Sequence, residues 1–300
     1  MTIPDVASPT AVTMHSPAAR SPMRVFGRRL LRSKVNLACL AFVLLIVVCA
    51  ILAPVLAPYD PNLQHLASRY LPPFSSSQFI LGTDDLGRDV LSRALYASRV
   101  SVTAPLISVG VALAAGVSFG LVAGFAGGRV DWLLSRLADA FNSIPALVLA
   151  LAVIAVLGPG LVNAMLAIGL ASAPRLFRVV RGASLAVREE TYIEASIVVG
   201  CSRLRTVLVH VLPNVRSPLL VQTSLLMSLS LLAEAALSFL GLGIQPPAPS
   251  WGAMLRTAFE QQFLGPWLVV VPGLLIMLMV LSFNLLGDGI RDAIGRERRS

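Results

Sequence analysis

Long apolar runs separated by shorter polar ones set the pattern of this 300-residue chain. Val35 to Ala57 and Val100 to Phe125 each exceed the ~20 residues a helix needs to cross a bilayer, and Pro218 to Gly243 and Pro266 to Leu286 do the same. Ile144 to Leu157 and Leu161 to about Ala173 are shorter runs divided by the turn Gly158-Pro159-Gly160. The pattern predicts an all-α, polytopic membrane protein with six transmembrane helices. The first run is longer than the core of a signal peptide and is expected to stay uncleaved. This divides the chain into a basic tail over 1–34, a first span over 35–57, a polar segment over 58–98, a five-span core over 99–286 and a second tail over 287–300.

The polar interruptions carry their own signals. Between the fourth and fifth runs lies a polar and basic island, 188–214, which predicts a helix, a turn and a second helix. Tyr192, Ile193, Ala195, Ile197 and Val198 form an apolar surface, while Arg188, Glu189 and Glu190 face water. Gly200 supplies the permissive backbone of a sharp turn, and Ser202 is placed to cap the next helix. In that helix Leu204, Val207, Leu208 and Val211 fall on one stripe, opposite Arg203, Arg205 and His210. Pro213 is expected to end it.

Three further features concern helix ends and packing. In Leu81 to Asp89, Thr83 is expected to cap a helix whose first turn holds Asp84 and Asp85, with Asp89 and Arg93 paired across one turn. Ala112, Gly116, Gly120 and Gly124 recur every four residues, the spacing that lets helix backbones approach closely in lipid. Their face is expected against another span of this chain or against a partner subunit. Gln245 to Leu255 reads as a rigid, aromatic-anchored link.

Composition agrees with a bilayer: 56% of residues are hydrophobic and only 13% charged, and the mean hydropathy is +0.80. The excess of 24 Lys plus Arg over 15 Asp plus Glu could point to nucleic acid, but the basic residues interrupt apolar runs without forming an aromatic-studded patch. Most of them fall on the side holding both tails and the island. The positive-inside rule therefore places both termini and the island in the cytoplasm and 58–98 in the periplasm. Cys39, Cys49 and Cys201 imply no disulfide framework.

Catalytic chemistry is sparse. Lys34, the only lysine, stands among Ser33, Val35 and Asn36 rather than in a glycine-rich phosphate loop. His15, His65 and His210 are dispersed, so no metal site is expected, and the chain is not expected to be an enzyme. One ionisable residue lies well inside a span, Glu234. It is expected to line a translocation path or, alternatively, to serve as a hydrogen-bonded packing residue.

The series Glu194-Ala195-Ser196, Gly200 and Leu212-Pro213 resembles the cytoplasmic coupling loop of ABC importer permeases. Serine replaces the alanine usual at the third position, and His210 stands where an apolar residue is common, with Val211 beside it. Leu81 to Asp89, Leu237 to Gly243 and Phe283 to Ala293 resemble segments of the C-type subunits of dipeptide and oligopeptide importers. That resemblance implies an inner-membrane permease whose Glu194, Ala195, Ser196, Gly200, Leu204, Leu208, Leu212 and Pro213 couple it to two cytoplasmic ATPase subunits. Those partners would bind ATP and Mg, leaving no cofactor in this chain. A homologous second permease subunit and an extracytoplasmic solute-binding protein are implied as well. Peptide cargo is expected, with nickel or another small solute as the alternative. An ion-coupled secondary transporter is the rival class, which usually carries more buried ionisable groups than Glu234 alone.

Overall fold

The computed structural model describes residues 33–295, so the expected basic tail, apart from Ser33 and Lys34, lies outside the described residues, as do 296–300. The described part is helical. Helix α1 spans Lys34–Leu56 and α2 Val90–Ala126. Two shorter helices follow, α3 at Gly128–Asn142 and α4 at Ala146–Leu157, and then α5 at Leu161–Arg188. The island holds α6 at Thr191–Val198 and α7 at Arg203–Thr206. Helix α8 runs over Leu212–Phe239, α9 over Trp251–Glu260 and α10 over Val270–Gly295.

Four of these stretches are long and apolar enough to cross a membrane: α1, α2, the continuous run Arg203–Phe239 and Pro266–Ile294. The pair α3 and α4, bent by 83° at its break, makes a fifth if it is counted as one span. The six independent spans expected are thus not all present as drawn. The third, at Ile144 to Leu157, is the 12-residue α4, about 18 Å long and too short to cross alone. The charged link expected before it is the amphipathic helix α3. The expected fourth span does not stop near Ala173 but runs to Arg188, 28 residues in all, and Arg175, Arg178 and Arg181 in its second half keep it from reading as an apolar span.

Helix α2 begins at Val90, before the expected span at Val100 but after the helix start expected behind Thr83, and local hydrogen bonding shows why. Its cap is Asp89, not Thr83: the Asp89 carboxylate accepts from Ser92 N at 2.8 Å and from Ser92 Oγ at 2.6 Å. With Asp89 so occupied, Arg93 turns to Asp84 at 3.5 Å and donates to the Pro61 carbonyl at 3.0 Å. Thr83 instead ties the preceding loop together, accepting from Leu71 N and donating to Ser68 O.

Helix α2 is the spine of the fold and packs along α5. A side-chain carbon at Gly116 would meet Leu176 Cβ at 2.6 Å, one at Gly120 would meet Val180 Cβ at 2.8 Å, and one at Gly124 would meet Ser184 Cβ at 2.5 Å. Ala112 is buried beside Leu176. The four-residue repeat of small side chains therefore serves a close contact within this chain. On another side, Ile46, Ala97, Leu231, Met279 and Trp251 share a core joining α1, α2, α8, α9 and α10. The link expected over 245–255 delivers that tryptophan: Ser250 caps α9 by accepting from Ala253 N, and Trp251 Nε1 donates to Ala94 O at 3.1 Å.

Candidate functional site

The island folds as a helical hairpin. Helix α6 ends at Val198, and Gly200 turns the chain with φ +89°, a left-handed conformation that glycine adopts without strain. Ser202 then caps α7, its Oγ accepting from Arg205 N at 3.4 Å. Pro213 does not end this second helix. Residues Val207–Val211 form a π-helical turn, in which Leu212 N donates to Val207 O, and α8 follows directly with Pro213 in its first turn. Proline is tolerated there because a first-turn N–H is not required, and the wider turn absorbs the missing donor.

That turn also splits the expected apolar stripe. Val211 is fully buried, with Ile193 and Val215, against Leu121 of α2 and Val180 of α5, and Val207 and Leu212 pack at the edge of this cluster. Leu204 and Leu208 face outward, 69% and 50% exposed. They join Ile197, Val198 and Val199 from the other arm, so one side of the hairpin anchors it and the other is an uncovered apolar surface. Glu194, Ala195 and Gly200 are exposed on the same hairpin. Ser196, in place of alanine, satisfies its hydroxyl locally by donating to Ile193 O at 2.7 Å. Asn214 fastens the two arms, donating to the Tyr192 hydroxyl at 3.1 Å and to His210 O at 2.7 Å.

A brace that sequence reasoning missed joins α3 to α5. Arg181 of α5 grips Asp131 of α3 with two hydrogen bonds, Nη2 to Oδ2 at 2.7 Å and Nε to Oδ1. The two residues are 50 positions apart, and no local spacing rule connects them.

Glu234, expected to line a path, is 1% exposed and enclosed between α8 and the start of α9. Its Oε1 accepts from Ser238 Oγ at 2.7 Å, Ser250 is the other side chain acting on the carboxyl, and Oε2 faces no donor of ordinary geometry among the described residues. No group of three or more His, Cys, Asp or Glu side chains able to hold a metal occurs among the described residues.

The periplasmic segment expected over 58–98 converges on Asp84. Its Oδ1 accepts from Leu86 N at 3.0 Å and Arg88 N at 2.9 Å, and its Oδ2 from Arg88 Nε at 2.7 Å, with Arg93 Nε beyond at 3.5 Å.

A bundle of long apolar helices with a helical hairpin between α5 and α8 defines a multi-pass membrane protein. Residues 116–300 match the family described as binding-protein-dependent transport system inner membrane component, and residues 21–73 match the N-terminal transmembrane domain of oligopeptide transport permease C. The chain belongs to this family, in its dipeptide and oligopeptide C-type branch. It is 44% identical over 278 residues to the di/tripeptide transport system permease protein DppC of Pseudomonas aeruginosa, covering 91% of this chain and 92% of that one. It is 40% identical over 291 residues to the glutathione transport system permease protein GsiD of Pectobacterium atrosepticum, covering 97% and 96%. Among solved structures, a chain of the MetNI methionine ABC transporter in inward-facing conformations superposes with a TM-score of 0.54 at 19% identity, over 68% of this chain and 96% of that chain. That likeness concerns the fold alone.

Proposed function

We propose that the chain is the membrane-spanning permease subunit of an ATP-driven importer of di- or oligopeptides, and that the hairpin of α6 and α7 is its coupling element. The observation that carries this reading is the two-sidedness of the hairpin. Ile193, Val211 and Val215 root it on α2 and α5, while Val198, Leu204 and Leu208 remain uncovered at its tip. A rigid helical hairpin transmits a displacement where a loose loop would dissipate it, and a short apolar tip fits a groove in a partner. In this reading two cytoplasmic ATPase subunits bind ATP and Mg, and their closure pushes the hairpin so that the spans tilt between inward-open and outward-open states. Glu194 to Pro213 form the docked element.

A homologous second permease completes the pathway, and a solute-binding protein delivers cargo from outside. The transport of di/tripeptides and glutathione by the similar proteins named above supports peptide cargo. Six crossings are made by α1, α2, the bent pair α3 and α4, α5, α8 and α10, leaving both termini and the hairpin in the cytoplasm.

The test is co-purification of the complex carrying Leu204→Asp and Leu208→Asp, both at exposed positions and so compatible with folding. The wild type is expected to hold two ATPase chains. The double variant is expected to release them and lose peptide uptake while retaining its permease partner. Full retention of the ATPases by the variant would refute the hairpin as the coupling element.

A further inference from the structure

We propose that Arg99 is a positioning residue that fastens the first helix to the transport core by occupying the backbone carbonyl that Pro54 leaves without a partner. Pro54 lies inside α1, two positions before its last residue, Leu56. In an α-helix the N–H of residue 54 would bond the carbonyl of residue 50, and proline has no N–H to give. At membrane depth little water is available to replace that bond, and prolines are tolerated in spanning helices where neighbouring groups satisfy the freed carbonyl.

Arg99 does this from α2. Its Nε donates to Ala50 O at 2.8 Å, and its Nη2 reaches towards Ile51 O at 3.5 Å. The guanidinium also stacks over the Tyr96 ring, 5.2 Å from the centroid. A charged group on a spanning helix is costly unless it finds such acceptors, so the proline and the arginine each resolve the other's deficit.

The contact belongs to a longer seam. Seven residues earlier, on the same face of α2, Ser92 Oγ accepts from Tyr59 N at 3.1 Å, and the adjacent Arg93 donates to Pro61 O at 3.0 Å. Arg99, Ser92 and Arg93 thus stitch the stretch from Ala50 to Pro61 onto α2, the helix that also carries the close contact with α5. The earlier part of α1 is held by Ile46 in the shared core, whereas within the stitched stretch Ile51 and Val55 face outward, 68% and 81% exposed, and add little hold there. Arg99 makes α1 and the segment after it follow α2 when the core tilts.

A double-mutant cycle on the purified full complex separates this role from ordinary packing. Arg99→Ala is expected to lower the thermal midpoint, to reduce the folded-to-unfolded ratio about tenfold, as loss of a charged hydrogen bond would, and to speed amide exchange in the last turn of α1. In the Pro54→Ala background, the backbone at position 54 regains an N–H that donates to Ala50 O, and Arg99→Ala is expected to have little further effect in either measurement. Arg99→Lys retains a donor and falls between. If Arg99→Ala prevents accumulation of the complex, restoration of its level by Pro54→Ala reads the same coupling. Equal damage from Arg99→Ala in both backgrounds, or no damage in the wild type, overturns the proposal.

Discussion

At the scale of single residues, the small side chains of α2 make the sharpest case. Gly116 has no room for a β-carbon, which would lie 2.6 Å from Leu176 Cβ and 2.9 Å from Ala173 O, whereas Gly110 on the same helix has nothing within 4 Å. Gly116→Ala is therefore expected to destabilise the protein by about 1–3 kcal/mol through forced separation of α2 and α5. Gly110→Ala is expected to be neutral or slightly stabilising; thermal unfolding of the two variants side by side checks the contrast, and equal midpoints would contradict it. The repeat was legible in the sequence because its four-residue period is a helical property. Its partner was not, because nothing in Ala112 to Gly124 specifies which distant helix supplies Leu176, Val180 and Ser184. Asp84 shows the opposite failure. Local rules assign it to a helix's first turn and pair Asp89 with Arg93, but in the fold Asp89 serves Ser92 and Asp84 becomes the hub for Arg88 and Arg93. Asp84→Asn is accordingly expected to cost about 3 kcal/mol, as removal of one member of a buried ion pair does. Asp85→Asn, whose carboxylate is more exposed and is paired with Arg88, is expected to stay within about 1 kcal/mol.

At the scale of elements, the hairpin was largely written in its punctuation. Gly200 adopts the positive φ that its position suggests and Ser202 caps α7, both from signals that act over three or four residues. The continuation through Pro213 was not visible, because proline reads alike as the end of one helix and as the first turn of the next. The π turn over Val207–Val211 decides between these, and it also breaks the 3.6-residue period on which the expected stripe rested. Its consequence is functional in the proposed reading: the turn sets the rotation of α7 relative to α8, and so the direction in which Leu204 and Leu208 point. Pro213→Ala returns an N–H to the backbone and favours an ordinary α-helical register, which would swing α7 by roughly one residue's rotation, about 100°. The variant is expected to accumulate at a somewhat reduced level, since Val211 lies inside the turn while the buried anchors Ile193 and Val215 lie outside it, and to couple ATP hydrolysis to uptake poorly. Measurement of both rates in reconstituted complexes checks this, and an unchanged ratio of peptide imported to ATP hydrolysed would remove the turn's assigned role.

At the scale of the whole molecule, the parity of the crossings decides which face the hairpin occupies. Four helices qualify as spans by length and apolarity, a bent pair offers a fifth, and α5 is long but carries arginines in its second half. Long apolar runs identified the unambiguous four, and they blurred the others because α3 and α5 bear charge, of which the part-buried Asp131–Arg181 brace pairs one residue from each. Three surface positions distinguish the possible counts. Ser77 lies between α1 and α2, Pro159 between α4 and α5, and Cys201 in the hairpin. If both the bent pair and α5 cross, a thiol at 77 and one at 159 share the outer face and Cys201 lies inside. If neither crosses, position 159 moves inside with Cys201. If only the bent pair crosses, all three lie outside. The arginines at the end of α5 and in the hairpin favour the first arrangement, because basic residues are retained on the cytoplasmic side. Labelling of Ser77→Cys and Pro159→Cys with a membrane-impermeant maleimide in right-side-out vesicles, with Cys201 reacting only in inverted ones, is the expected pattern. Reaction of Cys201 from outside would place the hairpin beyond reach of any cytoplasmic ATPase and would overturn the coupling role together with the topology.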